Sequence, residues 1–179
     1  MKPTHSDVPR VVELEARETQ WSICPGQTVE GYGYNGQVPG PVIEARVGEP
    51  LEIRFTNRLP EPTLIHWHGL RVPAPMDGTQ RETHHHDGPV KVGALQVWDV
   101  VNSSLMDHPF HLHGFFFQVL SINGEAPAFR SWEDVVNVPP RSTVRIAWMP
   151  DDRTGRWMYH CHILEHHEAG MMGHFEVVR

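Results

Sequence analysis

The chain has 179 residues and a formal net charge of −7, which allows one generous domain, or one domain plus an incomplete second. No run of Lys or Arg concentrates positive charge against phosphate, which argues against a nucleic-acid surface, and no apolar stretch is long enough for a membrane-spanning helix. The N-terminus, Met1-Lys2-Pro3-Thr4-His5-Ser6-Asp7, is polar and lacks the apolar segment of a secretory signal. Either the protein stays in the cytoplasm or an export signal is missing from this sequence.

In chain order the sequence reads as short strands broken by Gly and Pro, the pattern of an all-β sandwich. Cys24, in Ile23-Cys24-Pro25-Gly26, is expected to be a free, partly buried thiol. Asn35-Gly36 marks a turn. Residues 51–56, Leu-Glu-Ile-Arg-Phe-Thr, alternate apolar and polar as a strand with one buried face should. Further on, Asn123-Gly124 and Pro139-Pro140 mark turns, and residues 143–148 repeat the strand alternation. The only helical hint follows His162, runs through Glu168 and is closed by Gly170.

A repeat organises these elements. Val47-Gly48, Asn57 and His66-Trp67-His68-Gly69 recur as Val92-Gly93, Asn102 and His111-Leu112-His113-Gly114, every pair 45 positions apart. The same half of a β-domain is written twice. The first copy has too few residues after Gly69 to complete a sandwich of ordinary strands. The chain therefore reads as an N-terminal half-domain (1–82), a junction (83–91) and a nearly complete C-terminal domain (92–179).

Histidine is the unusual residue. There are fourteen, and most fall in four tight groups: 66 and 68; 84 to 86; 108, 111 and 113; and 160, 162, 166 and 167. In His160-Cys161-His162, an extended backbone sends the sulfur to one face and both imidazoles to the other. One tripeptide then touches two metal sites. A thiolate, imidazoles and a distant thioether are the ligands of a blue-copper electron-transfer centre. Cys161, His166 and Met171 follow at intervals of five, and His108 is the second imidazole from another strand. On the other face, the pairs 66/68, 111/113 and 160/162 each put two imidazoles on one side. Six neutral imidazoles suit copper better than magnesium or calcium, which prefer oxygen. A lone His-x-His is more often a solvated pair, and Met171-Met172 alone more often core. Four such groups in order, with a cysteine inside the last, point to metal.

These segments, together with His108-Pro109-Phe110-His111 and His160-Cys161-His162-Ile163-Leu164-Glu165-His166 through Gly170-Met171, closely resemble three of the four copper motifs of multicopper oxidases, the laccase-like enzymes. The resemblance runs over roughly 10–82 and 90–179. It implies a cupredoxin-like Greek-key β-sandwich, with the additional N-terminal half-domain. It implies type 1 copper on His108, Cys161, His166 and Met171, type 2 copper on His66 and His111, and a type 3 pair on His68, His113, His160 and His162. Asp77, in Met76-Asp77-Gly78, occupies the position of the family's proton-relaying acid. The implied activity is one-electron oxidation of phenols, aromatic amines or metal ions, coupled to reduction of dioxygen to water. The implied compartment is periplasmic or secreted.

The chain departs from the family where a fourth motif, another His-x-His, would supply two more type 3 ligands. His84 and His86 are candidate replacements; the bland alternative is a solvated polar loop. A second copy of the chain, in a homo-oligomer such as a trimer, is another way to complete the cluster. A non-catalytic blue-copper carrier derived from an oxidase is the rival reading, although a simple carrier has no use for His66, His68, His160 or His162. Copper nitrite reductase chemistry needs a histidine on only one side of the cysteine, which argues against it.

Overall fold

The computed structural model describes residues 8–77 and 86–179. The chain divides into two compact units, Met1–Leu64 and Ile65–Arg179. No helix among the described residues is long and apolar enough to cross a membrane.

In the first unit, β1 (Arg10–Cys24) and β2 (Gln27–Tyr34) form an antiparallel hairpin, and β3 (Leu51–Asn57) joins β1 in parallel register. Leu14 and Ala16, two residues apart on β1, are buried, and the charged residues between and around them are not, as the period of two requires. Cys24 is exposed, not partly buried as expected. It stands at the end of β1, where the register shifts between Ser22 and Cys24, and pairs with Gln27 beside the hairpin turn, its thiol donating to Gln27 Oε1 at 3.3 Å.

The second unit is a two-sheet sandwich. One sheet has the order β4 (Val90–Lys91), β11 (Met172–Val178), β10 (Gly155–Cys161), β6 (His108–Leu112), β8 (Val135–Val138). The other runs β5 (Gln96–Asn102), β9 (Ser142–Trp148), β7 (Phe117–Ile122). On β9, Ser142, Val144, Ile146 and Trp148 are buried and the intervening residues are not. Trp148, Trp157, Phe117, Phe175 and Leu112 fill the core. Trp148 meets Trp98 edge-on at 5.0 Å and Phe175 at 5.1 Å, contacts worth about 0.5–1.5 kcal/mol each beyond their burial. This is the expected all-β Greek-key sandwich.

The repeat is visible in local hydrogen bonds. Asn57 Nδ2 donates to the Glu61 carbonyl and its Oδ1 accepts from Leu59 N; Asn102 Nδ2 donates to the Met106 carbonyl and its Oδ1 accepts from Ser104 N. Both Asn side chains thus cap a strand end with the same turn. Gly69 and Gly114, after the two His-x-His pairs, have φ of +77° and +76°, a conformation that glycine adopts without strain. At Gly114 a Cβ would also lie 2.2 Å from Trp157. Val47-Gly48 and Val92-Gly93 lie in turns just ahead of β3 and β5.

Two features position the histidines. The antiparallel register pairs His160 with His111 and Cys161 with Phe110, so β6 and β10 carry His111 and His160 on one face and Cys161 with His108 and Phe110 on the other. The segment bearing His66 to Asp77 is fastened to the sandwich by Arg71 to Asp151 (2.6 Å) and by Arg153, which reaches the Val72 and Gly114 carbonyls. The Arg153 guanidinium lies 4.9 Å from the Phe115 ring centre and 5.1 Å from that of Trp157, a favourable cation–π arrangement.

Candidate metal centres

On the core side of β10, the Cys161 sulfur lies 3.4 Å from His166 Nδ1 and 3.7 Å from His108 Nδ1, and the two nitrogens are 3.1 Å apart. Three strand and helix ends meet here. His108 opens β6, Cys161 closes β10, and His166 sits on the short helix α1 (Leu164–Glu168). The turn after α1 folds back so that the Met171 carbonyl accepts from Cys161 N (3.0 Å) and Met171 N donates to the His166 carbonyl (2.9 Å). Met171, 46% exposed, lines the same cleft as His108 and Cys161. His108 Nε2 is 2.8 Å from Ser104 Oγ, which also donates to Asn102 Oδ1 at 2.8 Å. With its own proton committed to Asn102, the Ser104 hydroxyl accepts the His108 Nε2 proton. The Nδ1 lone pair is then left facing the thiol. A soft sulfur and two imidazole nitrogens converging on one point fit copper by donor chemistry.

On the opposite side six imidazoles come together. His66 Nε2 lies 3.0 Å from His111 Nε2, and His113 Nε2 lies 2.9 Å from His160 Nε2. The second ring nitrogen of each is committed to an oxygen that only accepts. His66 Nδ1 and His113 Nδ1 each lie 3.1 Å from an Asp77 carboxylate oxygen, His111 Nδ1 lies 2.7 Å from the Asp134 carbonyl, and His160 Nδ1 lies 2.8 Å from the Cys161 carbonyl. Each Nδ1 therefore carries the proton, and two pairs of Nε2 lone pairs face each other at hydrogen-bond distance with no proton between them. An ion bonded at about 2 Å to each nitrogen satisfies that arrangement. His68 stacks on His111 at 4.3 Å between ring centres, and His162 lies 5.4 Å from both His68 and His111.

Electrostatics agree with neutral rings at His111, His113 and His160 and with an ionised Asp77. Burial, reinforced by the neighbouring His113, pushes His111 down to about 2, and burial pushes His160 down to about 3. His113 is lowered as well, by burial first. Asp77 has no solvent exposure. Burial alone raises its pKa, but the hydrogen bonds from His113 and His66 outweigh this and hold it below the ordinary carboxylate range.

The structure thus brings together His66, His68, Asp77, His111, His113, His160 and His162 on one side, and His108, Cys161, His166 and Met171 on the other. Of the junction histidines, His84 lies outside the described residues. His86 stacks on His174 at 4.4 Å and joins no group of converging metal-ligand atoms among the described residues. Sequence reasoning did not single out Ser104 or Asp134, which orient ligand imidazoles. Nor did it assign a role to His167, whose ring lies 4.6 Å from that of His160. Ser104, four residues before His108 in the capped turn, carries the only local signal of the three.

Two family models, both described as multicopper oxidase, match residues 15–94 and 73–179. A multicopper oxidase of Staphylococcus epidermidis is 36% identical over 115 residues, which cover 61% of this chain and 26% of that protein. A laccase of Bacillus subtilis is 27% identical over a match covering 90% of this chain and 39% of its own length. The chain therefore spans well under half of these relatives. A solved multi-copper oxidase from Pseudomonas thermotolerans superposes with a TM-score of 0.81 over 97% of this chain and 100% of that one, at 16% identity, a likeness of fold.

Proposed function

Since this chain belongs to the multicopper oxidase family, we propose that it is a copper-dependent oxidase that couples one-electron oxidation of phenols, aromatic amines or metal ions to reduction of dioxygen to water. The observation that carries this reading is the placement of neighbours on β10: the Cys161 sulfur beside His108 and His166, and the His160 ring beside His113. One peptide bond joins the thiolate centre to the imidazole cluster.

In this reading His108, Cys161, His166 and Met171 hold type 1 copper, His66 and His111 hold type 2, and His68, His113, His160 and His162 hold ligand positions of the type 3 pair. Bound copper supplies the one-electron redox chemistry that side chains lack. The chain's own residues do the rest. Ser104 and Asp77 fix which ring nitrogen each partner imidazole presents. Asp77, an ionised carboxylate between two Nδ1–H groups, is placed to hold and pass protons at its Oδ1 and Oδ2. The core aromatics around Cys161 keep water from the thiolate. Trp157 and Phe110, buried in the core, act as packing and not as a substrate platform.

The six cluster imidazoles are two short of the family's set, and a second copy of the chain in a homo-oligomer supplies the remainder. Export to the periplasm or the outside is the matching compartment. The rival reading is a single-copper carrier, and it draws on the absence of a further imidazole pair beside the cluster among the described residues. Copper counting on copper-loaded protein, with its mass in solution and its oxygen uptake with a phenolic reductant, decides between them. About four coppers per assembled site, with oxygen consumption, supports the oxidase. One copper per chain with only the blue thiolate band overturns it.

A further inference from the structure

Asp134 stands immediately before β8, far in sequence from either His-x-His pair that it serves. Its carboxylate Oδ2 lies 3.1 Å from His68 Nδ1. Its main-chain oxygen accepts from His111 Nδ1 at 2.7 Å and from Leu112 N at 3.0 Å. One residue therefore touches an imidazole from each copy of the repeat. The two contacts differ in kind. The carbonyl is part of the pairing between β6 and the start of β8 and persists whatever the side chain. The carboxylate serves His68 alone.

His68 needs such a partner. Its side chain is 43% exposed, whereas that of His66 is 18% exposed and that of His113 4%. It sits on an irregular segment, outside any strand, so packing restrains its ring less than those of His66 and His113. We infer that Asp134 is a positioning residue of the imidazole cluster: its carboxylate, 3.1 Å from His68 Nδ1, favours the proton on that nitrogen by charge, leaves the Nε2 lone pair free for metal, and holds the ring stacked on His111. Ligand atoms of His66, His68 and His111 then lie within 4.8 Å of one another. The carboxylate charge also increases the donor strength of the imidazole, as carboxylate partners of metal-bound histidines do. The inference rests on the cluster reading above and adds to it a residue that sets the cluster's copper affinity.

The test uses the full chain and its Asp134→Ala and Asp134→Asn variants, stripped of metal, titrated with copper and counted, with the blue band as an internal control for the Cys161 centre. Asp134→Ala should keep the blue band and Tm while binding cluster copper about 10–100-fold more weakly. Asp134→Asn, which retains an oxygen acceptor without the charge, should fall between Asp134→Ala and the parent. Cluster copper held equally well by Asp134→Ala and the parent overturns the inference. So does loss of the blue band together with cluster copper in both variants, which would mark a general structural role. A parent chain that binds only the blue copper removes the cluster reading itself, and the inference with it, a result distinct from the other two.

Discussion

His160 and Cys161 are adjacent in sequence and part company in space: the His160 Nε2 lies 2.9 Å from His113 Nε2, while the Cys161 sulfur lies 3.4 Å from His166 Nδ1 on the far side of the strand. The pleat of β10 imposes this, since successive side chains leave an extended backbone in opposite directions. In the proposed oxidase the same pleat makes the path between the two centres short and covalent. Cys161→Ser removes the sulfur and leaves every cluster imidazole in place. The expected outcome is loss of the blue band and of substrate oxidation, with cluster copper retained, checked by visible absorption, oxygen uptake and metal counting.

Asp77 joins His66 to His113 through its two carboxylate oxygens, each at 3.1 Å. Asp77→Ala leaves the buried His113 Nδ1–H and the part-buried His66 Nδ1–H without an acceptor and frees both rings to change tautomer. Cluster copper should bind about 10–100-fold more weakly, and the unpartnered donors should lower stability by about 1–3 kcal/mol each. Copper titration and urea unfolding of the copper-free protein read the two effects separately.

Ser104 acts on the other centre alone. With the hydroxyl removed in Ser104→Ala, His108 Nε2 loses its acceptor and the ring loses its preference for presenting Nδ1. Copper affinity at the blue centre should fall about 10-fold, with the band shifted and cluster copper unchanged; Ser104→Thr, which keeps the hydroxyl, should restore both. Equilibrium dialysis and visible absorption check this.

The Arg71–Asp151–Arg153 group gives the acid limb of stability. Burial raises the Asp151 pKa, but hydrogen bonds from Arg153 and Arg71 outweigh it, so the pKa is lowered below the ordinary 3.8. A carboxyl with a depressed folded pKa contributes stability that is present above 3.8 and is lost as pH falls through the folded value. Asp151→Asn should therefore cost about 1–2 kcal/mol at neutral pH and flatten the loss of stability below pH 4. Thermal unfolding of both proteins between about pH 2 and 7 measures the difference.

Gly114 offers a packing test. With φ of +76° and a Cβ position 2.2 Å from the Trp157 ring, Gly114→Ala strains the backbone and forces the buried indole aside. The expected loss is about 1–3 kcal/mol or more, read as a lower Tm. Because Gly114 follows His113 directly, weaker cluster copper should accompany it.

Much of this arrangement was legible in the residues. Local chemistry carried it: alternation around Cys161, a repeat with a constant 45-residue offset, and glycines where the chain must turn left-handed. The helix expected after His162 forms as α1, and strands form where residues 51–56 and 143–148 alternate. Asp134 was illegible because its two contacts are made across the sheet, to residues 66 and 23 positions away, with no periodic signal linking them. The exposure of Cys24 was equally hidden, since burial depends on which strand lies beside the hairpin end.

The sequence by itself determined which atoms are offered to metal and to which side of the strand each is sent, because the direction of a side chain on an extended backbone is a local property. The tertiary structure decided which nitrogen faces inward on His66, His111 and His113. That choice belongs to the oxygen on the ring's other side, and Asp77 and Asp134 reach those rings only when loops and strands have packed together, whereas Ser104 and the Cys161 carbonyl act on His108 and His160 from close by in the chain.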